Sequence, residues 1–421
     1  MKVVIVGGGF AGLKVARRLN NKPGFELVLI DRYNYHQFQP LFYQVATASL
    51  DASNISFPLR KMFHGSKNVN IRLAEVEAID TAAKTISTDI GHFEYDVLIL
   101  ATGADTNFFG NAQLQQNAFP MKSTTEALQL RHRLIHNFEE ALHTDTASEL
   151  ERLMTAVVVG AGPTGVELSC AVAEMKKYVL PKDYPELDFT EMKIILLEGG
   201  DRTLPTMSEK SSGQSQKYLE KLGVTVITKA IVKDYDGHEV LLQDGTVIPS
   251  SIVIWAAGIK GNVPVGIDPA LVTKGNRMLV DRYNKVKNLD EVYALGDVAY
   301  METPNYPKGH PQVATVAIQQ AENVAENLLR IERKSTRFFE FEYYDKGAMA
   351  TVGRNLAVVD IPKPRLHFGG FLAWMIWMGL HLFLLVGVKN RVQVFINWIY
   401  NYLTHDQSLR LIFKEFYKKP R

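Results

Sequence analysis

Gly7-Gly8-Gly9-Phe10-Ala11-Gly12, which follows the apolar run Lys2 to Val6, returns later as Gly160-Ala161-Gly162-Pro163-Thr164-Gly165 after Ala156 to Val159. Each turn opens an amphipathic helical pattern, through Leu19 in the first case and about Lys176 in the second. Each helix leads into another β-type run that ends on an acid: Glu26 to Ile30 before Asp31, and Lys193 to Leu197 before Glu198. A glycine turn between strand and helix lets backbone N–H groups approach a pyrophosphate, and the helix N-terminus adds partial positive charge. The acid at the end of the second strand is placed to accept hydrogen bonds from ribose hydroxyls. One such turn is weak evidence. Two, each with strand, helix and acid in order, argue for a pair of dinucleotide-binding βαβ units.

Further strands extend this grammar. Tyr95 to Leu100 precedes Ala101-Thr102-Gly103, and Ile252 to Trp255 precedes Ala256-Ala257-Gly258, as expected of strands whose carboxyl ends open onto a ligand crevice. Val292 to Leu295 ends in Gly296-Asp297 and is followed by a helical pattern from about Thr315 to Arg330. Returning that run to the first sheet makes the second βαβ unit an insertion. The expected fold is therefore α/β, with two Rossmann-like dinucleotide-binding domains in a glutathione-reductase-like arrangement and a C-terminal membrane-associated region. The expected division is a first part of the FAD-binding domain at 1–115, a connecting helical segment at 116–150, an NADH-binding domain at 151–280, a second FAD-binding part at 281–335, and a membrane-anchoring and dimerisation region at 336–421.

Composition narrows the function classes. Charged residues make up 22% of the 421 and the formal net charge is +2, so neither disorder nor a polyanion partner such as nucleic acid is indicated. Cys170 is the only cysteine, which excludes an internal disulfide, an iron-sulfur cluster and a cysteine-based zinc site. Met1 and Lys2 run straight into the first strand, so no separate signal or transit peptide is expected.

Two dinucleotide sites without another cofactor motif suggest FAD in one and NAD in the other. The order follows from Gly296-Asp297, because an aspartate at a strand end beside a helix N-terminus suits a flavin ribityl chain; a plain turn is the alternative. Glu198 repels a 2′-phosphate and favours NADH over NADPH, with Arg202 near enough in sequence to soften the preference or simply to cap a loop. No cysteine pair stands near the flavin to relay electrons, so disulfide and sulfide chemistry are disfavoured and electrons leave the flavin directly.

The C-terminal region reads differently. From Leu366 to Val388 there are 23 residues without Lys, Arg, Asp or Glu, long enough to span a bilayer but broken by Gly369, Gly370, Gly379 and Gly387 and carrying His381. An amphipathic pattern follows, with Val392, Phe395, Ile396, Ile399 and Leu403 on one face and Gln393, Asn397, Asn401 and Thr404 on another. Lys389 to Arg421 holds seven basic residues against two acidic. That combination fits a helix lying in a membrane surface, with a buried dimer or core helix as the alternative.

Taken together, Gly7 to Gly12, the His36 to Thr47 segment, Gly160 to Glu167, Trp255 to Gly258, Gly296-Asp297 and the Trp-rich C-terminal run resemble type II NADH dehydrogenases, the non-proton-pumping NADH:quinone oxidoreductases. Tyr344 to Gly353 and Asn390-Arg391 look like bacterial members. The resemblance covers essentially the whole chain. It implies a monotopic enzyme on the cytoplasmic face of the cell membrane, usually a homodimer at the bilayer surface, in which NADH reduces FAD and the flavin reduces a membrane quinone. By motif it assigns Gly7, Gly8, Gly9, Phe10, Ala11, Gly12, Asp31 and Arg32 to the FAD adenosine and pyrophosphate, Val76 to the adenine, Asp297 to the ribityl chain, and Ala314 with Thr315 to the isoalloxazine edge. Gly160, Gly162, Pro163, Thr164, Gly165, Glu198 and Gly258 match the NAD site, and Glu167 matches the family glutamate at the junction of nicotinamide and quinone sites.

The family quinone motif Ala-Gln-x-Ala-x-Gln stands here as Ala314-Thr315-Val316-Ala317-Ile318-Gln319. Thr315 thus replaces a side-chain amide by a shorter hydroxyl, while Gln319 keeps its place. The resemblance implies Glu167, Gln319 and Thr315 as the catalytic set. Two other classes stay open at this point: an NADH-dependent flavin reductase feeding a soluble electron carrier, and a membrane-tethered redox sensor that turns over slowly.

Overall fold

The computed structural model describes residues 1–412; the end of the basic tail read from the sequence, residues 413–421, lies outside the described residues. The chain forms two compact units, each gathered from three stretches. The first comprises Met1–Gln37, Phe57–Asp105 and Ile259–Lys346, and the second Phe38–Ser56, Thr106–Gly258 and Gly347–Arg421.

The first unit is built on a five-stranded parallel sheet in the order Val292–Ala294, Val97–Leu100, Lys2–Val6, Glu26–Asp31, Val69–Leu73. Val3, Val4 and Ile5 of the central strand are fully buried, as a strand covered on both faces requires. On one face the helices Phe10–Leu19 and Ala314–Glu332 pack together through Leu13, Ala16, Ala321, Val324 and Leu328. The other face is covered by Ile79 and Ile86 of a three-stranded antiparallel sheet and by Met278 and Val298. The run at Val292 does return to the first sheet, in register with Leu98 to Leu100.

The second unit repeats the plan with four parallel strands, in the order Thr225–Ile227, Lys193–Leu197, Thr155–Val159, Ile252–Trp255. In both units the first strand of the βαβ motif sits inside the sheet, its own second strand on one side and a later strand on the other. That is the topological switch point at which open α/β sheets bind ligands. The helix Pro163–Tyr178 leaves the second glycine turn, and most of its residues from Gly165 to Met175 are buried.

The uncharged run Leu366 to Val388 does not form one long helix. It becomes the third strand of an antiparallel sheet, Leu366–Gly369 beside Ala357–Ile361 and Ala348–Thr351, followed by the helix Gly370–Leu384. Fifteen residues at about 1.5 Å each reach ~22 Å, short of the roughly 30 Å of a hydrocarbon core. Gly387, at φ +86°, then turns the chain into the helix Val388–Thr404. Among the described residues no helix is long and apolar enough to cross a membrane.

The last helix is amphipathic the wrong way round for a soluble protein. Its amides face inward: Asn390 Nδ2 donates to Asn54 O at 2.9 Å, Asn397 Nδ2 to Asn54 Oδ1 at 2.9 Å, and Asn401 Nδ2 to Ser49 O at 3.0 Å. Val392, Phe395, Ile396, Ile399 and Leu403 point outward and are exposed, Leu403 by 73%. Phe371, Leu372, Met375 and Phe383 on the preceding helix are exposed as well. The reading of this apolar face as a core helix is thereby removed for the chain itself, since its polar face makes the packing contacts.

Candidate functional site

The two glycine turns superimpose in their hydrogen bonding. Gly7 N donates to Ile30 O at 2.8 Å and Gly160 N to Leu197 O at 2.7 Å, tying each turn to the second strand of its motif. Gly7 and Gly160 take φ of +102° and +101°, a conformation open to glycine and costly for residues with a Cβ. At the last glycine of each turn the reason is space: a Cβ on Gly12 would stand 1.9 Å from Gly7 O, and one on Gly165 1.9 Å from Gly160 O. The middle glycines differ. Gly9 and Gly162 cap their helices with no side-chain hydrogen bond, and a Cβ on either meets nothing within 4 Å. Each helix N-terminus therefore faces open space, the cradle a pyrophosphate requires.

The acids are tethered alike. Asp31 accepts from the Gly8 and Tyr33 N–H groups, and Glu198 accepts from Ala161 N and Gly200 N, both at 2.7 Å. Burial raises the Asp31 pKa, opposed by those N–H donors and by Arg32. Arg32 itself is half-exposed and stands 3.7 Å from Asp105. Arg202 donates to Pro205 O and pairs with Glu209 at 3.7 Å, so it closes its own loop. His36, absent from the assigned set, is buried with Nδ1 donating to Gly8 O at 3.0 Å and its ring edge-on to Phe10, and so braces the first turn.

Around Asp297 the first unit is equally prepared. Gly296 N donates to the buried Gln320 Oε1 at 2.7 Å, and Gln312 Nε2 donates to Asp297 O at 2.9 Å. These two glutamines hold the turn, and Arg277 nearby adds positive charge that acts on Asp297. Thr315 Oγ1 pairs with Tyr343 OH at 2.8 Å. Gln319 uses both ends of its amide on Tyr344, donating to its O at 2.9 Å and accepting from its N at 3.1 Å. Val76 opens a strand and Ala314 the helix to Glu332, both partly exposed within the first unit. In the second unit, Gly258 follows the strand Ile252–Trp255 at φ +139° and accepts from Asn107 N at 3.1 Å.

The second unit also encloses a cavity of about 140 Å³. Its floor is the helix Pro163–Tyr178, which contributes Glu167, Cys170, Glu174 and Tyr178. Trp374 and Trp377 come from the first C-terminal helix, Trp398 and Tyr402 from the second, and Tyr43 and Gln44 from the short helix Phe42–Ala46. These are the inner faces of the helices whose outer faces are apolar and exposed. Glu167 is buried and accepts from Thr351 N at 3.3 Å. Burial pushes its pKa up to about 8, against the Thr351 N–H and the Trp377 indole, which favour the ionised form. A protonated carboxylic acid inside an aromatic cavity can bind and protonate a planar carbonyl compound. The cavity brings Glu167 together with Glu174, Tyr43 and Arg354, none of which the sequence motifs marked as site residues. Glu174 was within reach, seven residues on along the same helix.

A family model described as pyridine nucleotide-disulphide oxidoreductase matches residues 1–321, and one described as the NDH2 C-terminal domain matches residues 345–405. The type II NADH:quinone oxidoreductase Ndh of Mycobacterium tuberculosis is 36% identical over 422 residues, covering 96% of this chain and 88% of that protein. The type II NADH:quinone oxidoreductase of Staphylococcus aureus strain NCTC 8325 is 28% identical over 84% of this chain and 87% of its own. Among solved structures, NDH2 of Plasmodium falciparum in complex with NADH shares the fold at a TM-score of 0.89 and 21% identity, covering 98% of this chain and 99% of that one.

Proposed function

Because the chain belongs to the type II NADH:quinone oxidoreductase family, within the pyridine nucleotide-disulphide oxidoreductases, we propose that it oxidises NADH with FAD as resident cofactor and reduces a membrane quinone. The observation that carries the acceptor is the cavity, which joins a buried, protonated Glu167 to an aromatic wall formed by the helices that expose apolar faces.

FAD, when bound, supplies the two-electron chemistry that takes hydride from NADH. The first unit fits it: the open cradle at Gly9, the tethered Asp31 and the braced Gly296-Asp297 turn are where the phosphates, adenosine and ribityl chain would be held, with Val76 and Ala314 beside them. The second unit fits NADH through Gly160, Gly162, Pro163, Thr164 and Gly165, with Glu198 toward the ribose and Gly258 at the neighbouring strand end. In this reading residues 1–115 and 281–335 serve FAD, 151–280 NADH, and 336–421 the membrane. Glu167 holds a proton for the quinone. Thr315 and Gln319 act with Tyr343 and Tyr344, Gln319 by fixing the Tyr344 backbone. Attachment to the cytoplasmic face, a homodimer and the absence of proton pumping rest on the family resemblance.

Steady-state NADH oxidation with a short-chain quinone in detergent tests the function: fast, saturable quinone reduction supports it, and a preference for a soluble one-electron carrier over quinone overturns it. Glu198 carries a second expectation. Its carboxylate should make the NADPH Michaelis constant much higher than that of NADH, and Glu198→Gln should narrow the gap roughly tenfold, the worth of one lost charge repulsion of about 1.4 kcal/mol. Equal efficiency of the parent protein with both cofactors contradicts the assignment.

The outward apolar face carries a third. Replacing Phe395 and Ile396 together by glutamate should reduce binding to anionic vesicles by more than about tenfold, because apolar burial and electrostatic attraction both weaken. Neither residue packs into the unit, so activity with a short-chain quinone in detergent should persist. Unchanged vesicle binding would show that this face does not meet lipid.

A further inference from the structure

Reduction of a quinone by NADH leaves one proton to be found. NADH delivers a hydride, which is equivalent to two electrons and one proton, whereas the quinol carries two added hydrogens, so each turnover takes one proton from water. A buried Glu167 can give that proton once and must then be refilled. The cavity contains a second carboxylate, Glu174, placed for this purpose.

Glu167 and Glu174 lie seven residues apart on one helix, hence on the same face and separated by about 10 Å along its axis. Both line the cavity, and each is fixed by a backbone N–H of the same hairpin: Thr351 N donates to Glu167 and Arg354 N to Glu174. Tyr43 and Cys170 line the same cavity, each close enough to both carboxylates to be influenced by their charge. Tyr43 accepts from Gln44 Nε2 at 2.9 Å, which leaves its own hydroxyl proton to donate. A cavity of about 140 Å³ has room for several waters, each needing roughly 10–15 Å³ on this measure. The buried Gln407 also lines the cavity and offers an acceptor, Oε1, without a partner among the described residues.

Resting on the quinone reading above, we propose that Glu174 is a relay residue that refills Glu167 with a solvent proton through Tyr43 and cavity water. In this role Glu174 acts through Glu167. In each turnover the Glu167 O–H bond breaks as a quinol O–H bond forms; a proton then moves from Glu174 to Glu167, and water reprotonates Glu174. No further oxidant or reductant enters. Burial raises the pKa of Glu174, opposed by the Arg354 N–H and by the charges of Arg354 and Lys177. The other titratable groups facing it are Cys170 and Tyr178 on its own helix, Tyr43, and Tyr402 and His405 from the C-terminal end; the helix Gly370–Leu384 contributes the uncharged Trp374, Trp377 and Met378.

The test is Glu174→Gln, which keeps the acceptor for Arg354 N and removes the proton. In anaerobic single-turnover experiments on the FAD-loaded protein, reduction by NADH should be unchanged. Reoxidation by a short-chain quinone should slow roughly tenfold, below the 10²–10⁴ typical of losing a direct general acid. The solvent deuterium isotope effect should grow, the quinone Michaelis constant should hold, and Glu174→Asp should recover part of the rate. Unchanged reoxidation with an unchanged isotope effect overturns the relay, as does a raised Michaelis constant with normal maximal rate, which would make Glu174 a binding group. Failure of quinone to reoxidise the parent protein would instead overturn the underlying functional reading.

Discussion

Gly162→Val is expected to leave a folded, yellow protein whose flavin NADH reduces roughly a hundredfold or more less efficiently. Gly162 already has an extended backbone, and a Cβ there meets nothing within 4 Å, so the first atom of the new side chain strains no protein contact. It fills the space through which a pyrophosphate reaches the helix N-terminus. Losing two backbone hydrogen bonds to a charged group, at about 1.5–3 kcal/mol each, accounts for a change of that size. Gly9→Val should do the same to the other cofactor and yield a folded, colourless protein that added FAD does not restore. Absorbance of the purified variants and anaerobic titration with NADH separate the two. A colourless Gly162→Val, or a yellow Gly9→Val that NADH no longer reduces, would mean that the two cofactors had been assigned to the wrong turns.

The second large effect concerns Glu167. Glu167→Gln keeps the acceptor for Thr351 N and the side-chain volume but removes the proton. Reduction by NADH should be unaffected and reoxidation by quinone should fall about a hundredfold, within the range for a lost general acid. The parent rate should decline as pH rises through about 8, where Glu167 loses its proton, and the variant should lack that decline. The groups facing Glu167 in the cavity are Tyr43, Cys170 and Glu174, and burial raises the pKa of all three. Stability provides an independent reading. The unfolded carboxyl ionises near its ordinary value of 4.5 while the folded one keeps its proton to about 8, so the parent loses stability across that window as pH rises. The variant should lose less, visible as a melting-temperature difference that grows in its favour from pH 5 toward 8. A parent profile flat through pH 8 would remove Glu167 from the proton path.

The double βαβ plan was legible because its determinants are local. Gly7 and Gly160 need positive φ, Gly12 and Gly165 need to be small, and the acids follow one strand later, within 25 residues from Gly7 to Asp31 and 39 from Gly160 to Glu198. The return of the Val292 run to the first sheet was legible as well, since its Gly-Asp ending mirrors the other strand ends. The C-terminal region was less so. An uncharged run of 23 residues has the length of a membrane span, and only the glycines marked the strand, helix and turn into which it divides. Sequence periodicity found the two faces of the last helix but could not say which faced inward; the asparagine contacts to residues 49–54 decide that, and they join positions more than 330 apart in the chain. The cavity was hidden for the same reason, being lined by five separate stretches. Gln319 shows the opposite limit. The motif marked it, but only the structure shows both ends of its amide committed to Tyr344.

The most direct test of the central claim is a single turnover of the FAD-loaded protein. Its flavin is reduced with one equivalent of NADH without oxygen and then mixed with a short-chain quinone or with buffer alone. The account predicts that the flavin absorbance returns rapidly and saturably with quinone and stays bleached in buffer. Reoxidation no faster with quinone than without it would contradict the account.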